Sequence, residues 1–186
     1  SAKKIADNIS PWNLDSPLET RGPSDYLLEV KEAVTRVTTG RVERIQLFRQ
    51  VIQQNELTRE IGYKILRNYR SFADLNDAAA FVTEQCFPEW LQETFRDEFL
   101  HSCYIDQDTN GSIEIYALRW YNLLINTRFE KKELVQMIYS RLPPEFHTYV
   151  GGTVPNTQLA LMKKIWEYES RPKISTETGY VTLVIE

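Results

Sequence analysis

The chain has 186 residues, of which 42% are hydrophobic and 26% charged, and its formal net charge is −4. This composition is typical of a globular protein and excludes a collagen-like or low-complexity chain. A protein whose main task is to bind nucleic acid usually carries a basic face. The acidic balance therefore argues against RNA or DNA binding as the principal activity.

Membrane and secretory signals are also missing from the sequence. No apolar run approaches the ~20 residues that a membrane helix needs, so we expect no membrane partner. The basic start at Lys3 and Lys4 has no apolar stretch behind it and does not resemble a signal peptide. Cys86 and Cys103 are too few for a disulfide framework. We therefore expect a reduced, cytoplasmic protein.

Residues 1–23 contain prolines but little apolar periodicity, which predicts an irregular N-terminal arm. Trp12 and Leu14 are expected to dock this arm onto a neighbour. From Ser24, a predicted N-cap, apolar residues recur at helical spacing. Further predicted caps are Ser112 and either Asn156 or Thr157. The predicted helical segments are Leu27–Val37, Val42–Ile52, Leu57–Tyr69, Leu75–Val82, Trp90–Phe99, Ile113–Leu124, Leu134–Leu142 and Leu159–Tyr168.

These segments predict an all-α fold of two small helical lobes joined by a short linker. The polar, turn-like stretch at 105–111 is the best linker candidate. The tail from Gly179 is rich in β-forming residues, and without a partner strand it either pairs between molecules or stays loose. The predicted divisions are an arm at 1–23, an N-lobe at 24–104, a linker at 105–111, a C-lobe at 112–172 and a tail at 173–186.

The linker also follows the pattern of an EF-hand calcium loop. Asp106, Asp108 and Asn110 stand at the first, third and fifth positions, and Gly111 provides the sharp turn. The twelfth position needs a bidentate glutamate but holds Ala117, which removes two ligand oxygens. One interpretation is a weak calcium site formed by Asp106, Asp108 and Asn110. The other is a plain turn between two helices.

Few other residues suggest a catalytic or metal-binding site. Cys86, His101 and Cys103 lack the spacing and the fourth ligand of a zinc site, so buried free thiols are the better interpretation. No nucleophile is accompanied by a base and an orienting group, and no glycine-rich phosphate loop is present. We therefore expect a protein that is not an enzyme and has no cofactor.

A basic patch is the remaining candidate for a binding site. It would lie on the first lobe and include Arg41, Arg44, Lys64 and Arg67. Arg49, Arg59 and Arg70 fall in the same stretch of sequence. The alternative is that these side chains form the solvated faces of two helices.

Four helical segments in the second half share an order and spacing with a known family. They are Pro88–Phe99, Ser112–Trp120, Glu133–Glu145 with its Leu-Pro-Pro end, and Thr157–Glu169. In these segments the chain resembles the Gag capsid region of gypsy-type LTR retrotransposons. Plant pararetrovirus coat proteins and domesticated Gag-derived proteins have a similar pattern. Arg141 departs from the family's common glycine, and no Cys-x-x-Cys zinc knuckle follows.

The resemblance implies a structural protein that self-assembles into a shell around an RNA genome or transcript. N-lobes would form rings, and C-lobes would form dimers through the helix at 130–141. The implied dimer interface includes Lys132, Gln136, Met137 and Tyr139, although Met137 and Tyr139 are alternatively part of the core. RNA would be contacted indirectly, or by a region outside this chain.

A second class of function is also consistent with the sequence. The chain is alternatively a helical adaptor, or a calcium-responsive binding module built around the loop at 106–117. Self-association that ignores calcium favours the capsid. A conformational change on adding calcium favours the module.

Overall fold

The computed structural model describes residues 1–104, 112–175 and 182–184. Within these residues the protein is all-α, as predicted, apart from one short pair of strands. The chain divides into two compact units, Ser1–Leu100 and His101–Glu186. The predicted linker at 105–111 lies outside the described residues and stays a prediction.

The first unit is built from six α-helices and two single 3₁₀ turns. The turns are at Glu56–Thr58 and Tyr69–Ser71. The helices are α1 (Ala2–Asp7), α2 (Pro23–Val37), α3 (Arg41–Gln53), α4 (Arg59–Asn68), α5 (Leu75–Cys86) and α6 (Glu89–Leu100).

Helix α3 is central to the first unit, because it packs against α1, α2, α4 and α5. Its Ile45, Phe48 and Ile52 are fully buried. The approach of α4 to α3 depends on Gly62. A Cβ there would lie 3.1 Å from the Arg49 carbonyl oxygen and would collide with the Gln53 side chain. Glycine therefore allows the two backbones to pack closely.

The segment predicted as an irregular arm is instead part of the first unit. It begins with α1, and its Trp12 is only 1% exposed. The Trp12 ring stacks on Tyr26 at 5.0 Å between centroids. The Trp12 amide donates to Asn55 Oδ1 at 2.9 Å, and Asn55 Nδ2 donates to the Trp12 carbonyl at 3.2 Å. Trp12 thus docks onto its own unit, which begins at residue 1 rather than at residue 24.

The start of α2 also differs from the prediction. The helix begins at Pro23 with Gly22 as its N-cap, and not at Ser24. The Gly22 amide donates to the Asp25 carboxylate at 3.0 Å. Proline at the first helical position is favourable because its missing N–H has no helical partner to lose.

The second unit contains four described helices and the strand pair. The predicted caps Ser112 and Thr157 are confirmed, since their hydroxyls accept from the amides of Ile115 at 3.3 Å and Ala160 at 3.1 Å. The helices are α7 (Ile113–Leu124), α8 (Lys131–Ser140), α9 (Pro144–Val150) and α10 (Gln158–Glu169).

The C-terminal strand has a partner within the chain. Strand β1 (Lys173–Ser175) pairs antiparallel with β2 (Thr182–Val184), and Ile174 lies opposite Leu183. The expectation that the tail lacks a partner strand was therefore wrong. A three-residue strand directly after Pro172 is too short to give a clear alternating pattern in the sequence.

Candidate functional site

Helix α10 contacts each of α7, α8 and α9, and one of its faces belongs to the core. Leu161 and Ile165 on this face are fully buried. One turn further on, the Tyr168 ring meets Phe146 of α9 edge-to-face at 5.3 Å. Residues at spacings of three and four share one side of a helix, so Leu161, Ile165 and Tyr168 form the face by which α10 packs in the second unit.

The opposite face of α10 is also apolar, and it is open. Leu159 is 81% exposed and Trp166 is 64% exposed. At 100° per residue they project about 20° apart and nearly opposite Leu161, about 10 Å from each other along the axis. Met162 lies half-buried at the edge of this face. We call Leu159, Met162 and Trp166 the outer face of α10.

Single exposed apolar side chains are ordinary, but aligned ones on a helix whose other face is already packed are not. Covering an exposed tryptophan ring removes a large apolar area from water. The sequence analysis predicts a helix over Leu159–Tyr168 but does not separate its two apolar faces. The signal was present in the sequence, since Leu159 and Trp166 are out of phase with Leu161 and Ile165.

The flanks of the outer face are charged. Lys163 is exposed, and Lys164 Nζ lies 3.6 Å from Glu167 Oε2. At the end of the helix, Glu169 Oε1 accepts from the Glu114 amide of α7 at 3.2 Å. Burial raises the pKa of Glu169, although this hydrogen bond opposes the rise. Glu169 therefore fixes α10 against the start of α7, while the charges of Lys163 and Glu167 remain at the rim.

The residues predicted for a C-lobe dimer lie on α8 in two environments. Lys132 and Gln136 are exposed, whereas Met137 and Tyr139 are half-buried. The Tyr139 ring lies 4.4 Å from the His147 ring, and its carbonyl is 2.7 Å from His147 Nε2. Tyr139 thus helps hold α9 against α8, which agrees with the alternative that it is partly core. The outward side of α8 is polar.

The structure divides the predicted basic patch into two places. Arg41 and Arg44 of α3 line a hollow beside α2 and the start of α5. Lys64 and Arg67 lie exposed on α4 and do not line that hollow. Lys64 Nζ donates to Gln85 Oε1 of α5 at 2.9 Å.

The predicted calcium ligands Asp106, Asp108 and Asn110 lie outside the described residues. Ala117, at the position of the missing glutamate, is buried in α7 and has no side-chain oxygen. In the part of the chain that is described, no group of three or more His, Cys, Asp or Glu side chains is placed to hold a metal ion.

Both cysteines are free thiols. Cys86 is buried at the end of α5, and this burial raises the pKa of its thiol to about 12. Thiolate is the reactive form of cysteine, so this rise in pKa disfavours reaction at Cys86. Cys103 is half-buried.

Comparisons with protein-family models, with curated proteins and with solved structures give no match. Among the described residues, no helix is both long enough and apolar enough to cross a membrane.

Proposed function

We propose that this chain is a structural capsid protein of the Gag type, which self-assembles into a shell enclosing an RNA genome or transcript. The proposal rests on the order of the four capsid-like segments in the sequence. The observation that supports it best is the open outer face of α10. A shell protein must expose apolar side chains, because each copy covers those of its neighbours.

The outer face of α10 fits a second copy of the same chain. In an antiparallel pair about a two-fold axis, Leu159 of one copy lies near Trp166 of the other. Each contact then occurs twice, which is the arrangement of an isologous dimer. Central tryptophans contribute most to such interfaces.

Helix α8 is the competing surface, because the family resemblance assigns the C-lobe dimer to it. Its exposed Lys132 and Gln136 offer hydrogen bonds and charge but little apolar area. Exposed charged pairs contribute little to association, about 0–1 kcal/mol each. The apolar burial available at Leu159 and Trp166 is therefore the larger driving force.

Sedimentation velocity on matched variants distinguishes these surfaces. The test variant is Leu159→Ser with Trp166→Ser, and the second is Lys132→Ala with Gln136→Ala. The control is Leu18→Ser with Val154→Ser, which removes two exposed apolar side chains elsewhere. We expect the α10 variant to weaken dimerisation by about a hundredfold or more, since each lost apolar contact costs about 1–3 kcal/mol. The control and the α8 variant should dimerise as the native chain does.

The possible results separate the parts of the proposal. If only the α8 variant loses the dimer, self-assembly stands and its surface is α8. A native chain that remains monomeric at every concentration would contradict self-assembly itself. Unchanged thermal unfolding of the variants shows that the substitutions act on association and not on folding.

A further inference from the structure

A hollow on the first unit concentrates positive charge. It has a volume of about 810 Å³ and lies where the C-terminal half of α2 meets the starts of α3 and α5. Four cationic side chains line it, which we call the cationic hollow: Lys31 and Arg36 from α2, and Arg41 and Arg44 from α3.

Three of these cations are held in place by hydrogen bonds. Arg41 Nη1 donates to the Phe72 carbonyl at 2.7 Å, and Arg44 Nε donates to the Thr38 carbonyl at 2.9 Å. Lys31 Nζ donates to Asn76 Oδ1 at 3.3 Å. A guanidinium has five N–H donors, so each anchored arginine keeps donors for a ligand. The anchoring reduces the entropy that binding would cost.

Both acidic side chains at the hollow already interact with neighbouring groups of the protein. Glu32 lies 3.8 Å from Arg36 on the same helix. Asp74 caps α5 by accepting from the Asp77 amide at 3.0 Å. Four cations and two carboxylates leave a charge of +2 at the hollow, in a chain whose net charge is −4. Such a local excess attracts anions.

We propose that the cationic hollow binds phosphate groups, with at least two on one ligand. Arginine forks match phosphate oxygens in charge and geometry, and lysine adds a point charge. The hollow is wide enough for several phosphates, and its cations come from two helices. A single phosphodiester carries one negative charge and would leave half of the excess charge uncompensated. The ligand is either a free oligophosphate or the phosphodiester backbone of RNA, which share this chemistry.

The test measures binding of two probes to the full chain, inorganic triphosphate and a short single-stranded oligouridine. Binding is measured by calorimetry at low and at high salt. The main variant is Lys31→Gln with Arg36→Gln, because neither side chain anchors the backbone. A second variant, Arg41→Gln with Arg44→Gln, removes the anchored pair. The control is Lys64→Gln with Arg67→Gln, which removes the same charge from α4.

We expect saturable binding of at least one probe, weakened by added salt because phosphate contacts release counterions. Each hollow variant should bind about tenfold or more weakly, as loss of charge-assisted hydrogen bonds predicts, while the control binds like the native chain. Triphosphate binding without RNA binding assigns a free oligophosphate, and RNA binding alone assigns the phosphodiester backbone. No saturable binding of either probe, or equal weakening by the control variant, overturns the proposal.

Discussion

Trp12 joins a segment of irregular backbone to the core of the first unit. Its ring stacks on Tyr26, its indole N–H donates to the Arg21 carbonyl at 3.0 Å, and its backbone exchanges two hydrogen bonds with Asn55. These contacts come from α2 itself and from residues before and after it in the sequence. Trp12 is therefore expected to contribute strongly to the stability of the first unit.

We predict that Trp12→Ala lowers the free energy of unfolding by about 3–5 kcal/mol, because it leaves a cavity of tryptophan size. Urea denaturation followed by circular dichroism measures the change. The control is Leu18→Ala, since Leu18 is 49% exposed in the same segment and its removal should cost under about 0.5 kcal/mol. Equal effects of the two substitutions would show that Trp12 is not docked as described.

In the same segment, the side chains of Glu19 and Arg21 form an ion pair. The Glu19 carboxylate accepts from Arg21 Nε and Nη2, both at 3.0 Å, and from the Asn13 amide at 3.0 Å. Burial acts to raise the pKa of Glu19, but these hydrogen bonds outweigh it and the pKa is lowered. Ionised Glu19 therefore stabilises the fold, and this stabilisation is lost as the pH falls from the usual carboxyl range through the lowered pKa.

Glu19→Gln is predicted to cost about 2 kcal/mol at neutral pH, the value of hydrogen bonds to a charged group. The difference from the native chain should shrink as the pH falls below the usual carboxyl pKa, because protonated Glu19 no longer contributes. Denaturant titrations at several pH values measure this. Glu29→Gln is the matched control, since Glu29 pairs with the same arginine at 3.2 Å but is more exposed. A difference that grows toward acid pH would contradict the assignment.

At the scale of elements, the start of α10 depends on one hydroxyl. Thr157 Oγ1 accepts from the Ala160 amide at 3.1 Å, which satisfies one of the free N–H groups of the first turn. We predict that Thr157→Ala lowers the free energy of unfolding of the second unit by about 1 kcal/mol, while Thr157→Ser retains nearly all of it. Thermal unfolding of the two variants is the measurement. Equal stability of the alanine and serine variants would show that this cap contributes nothing.

Most predictions of features that depend on nearby residues are correct, although the sequence misplaces the cap of α2 at Ser24 instead of Gly22. The caps Ser112 and Thr157 bond three residues ahead, so a short window contains the whole interaction. Helical periodicity predicts the all-α fold for the same reason. The docking of Trp12 depends on Asn55, which is 43 residues away, and no local pattern encodes that distance.

The same distinction between local and long-range features applies to the candidate sites. The sequence identifies Arg41 and Arg44 as basic but does not group them with Lys31 and Arg36, because the hollow forms only when α2 and α3 pack together. The apolar character of Leu159 is equally visible in the sequence. Its exposure is not, since periodicity does not say which of two apolar faces of α10 meets the core.

At the scale of the whole molecule, the two compact helical units expose different kinds of surface. The outer face of α10 offers apolar area in the second unit, and the cationic hollow offers charge in the first. Many weak contacts of different kinds are what a closed shell needs, because its copies must associate in more than one symmetry. Self-association is therefore the property that the proposed shell requires above all.

Light scattering coupled to size exclusion, over a wide range of protein concentration, measures self-association. The measurement is made in chelator and in calcium, at low and at high salt. The proposal predicts a mass that rises from monomer to dimer and then to large closed particles, in the same way with and without calcium. A monomer under every condition would contradict it. A change in mass that requires calcium and is lost in the Asp106→Ala variant would instead favour the calcium-responsive module.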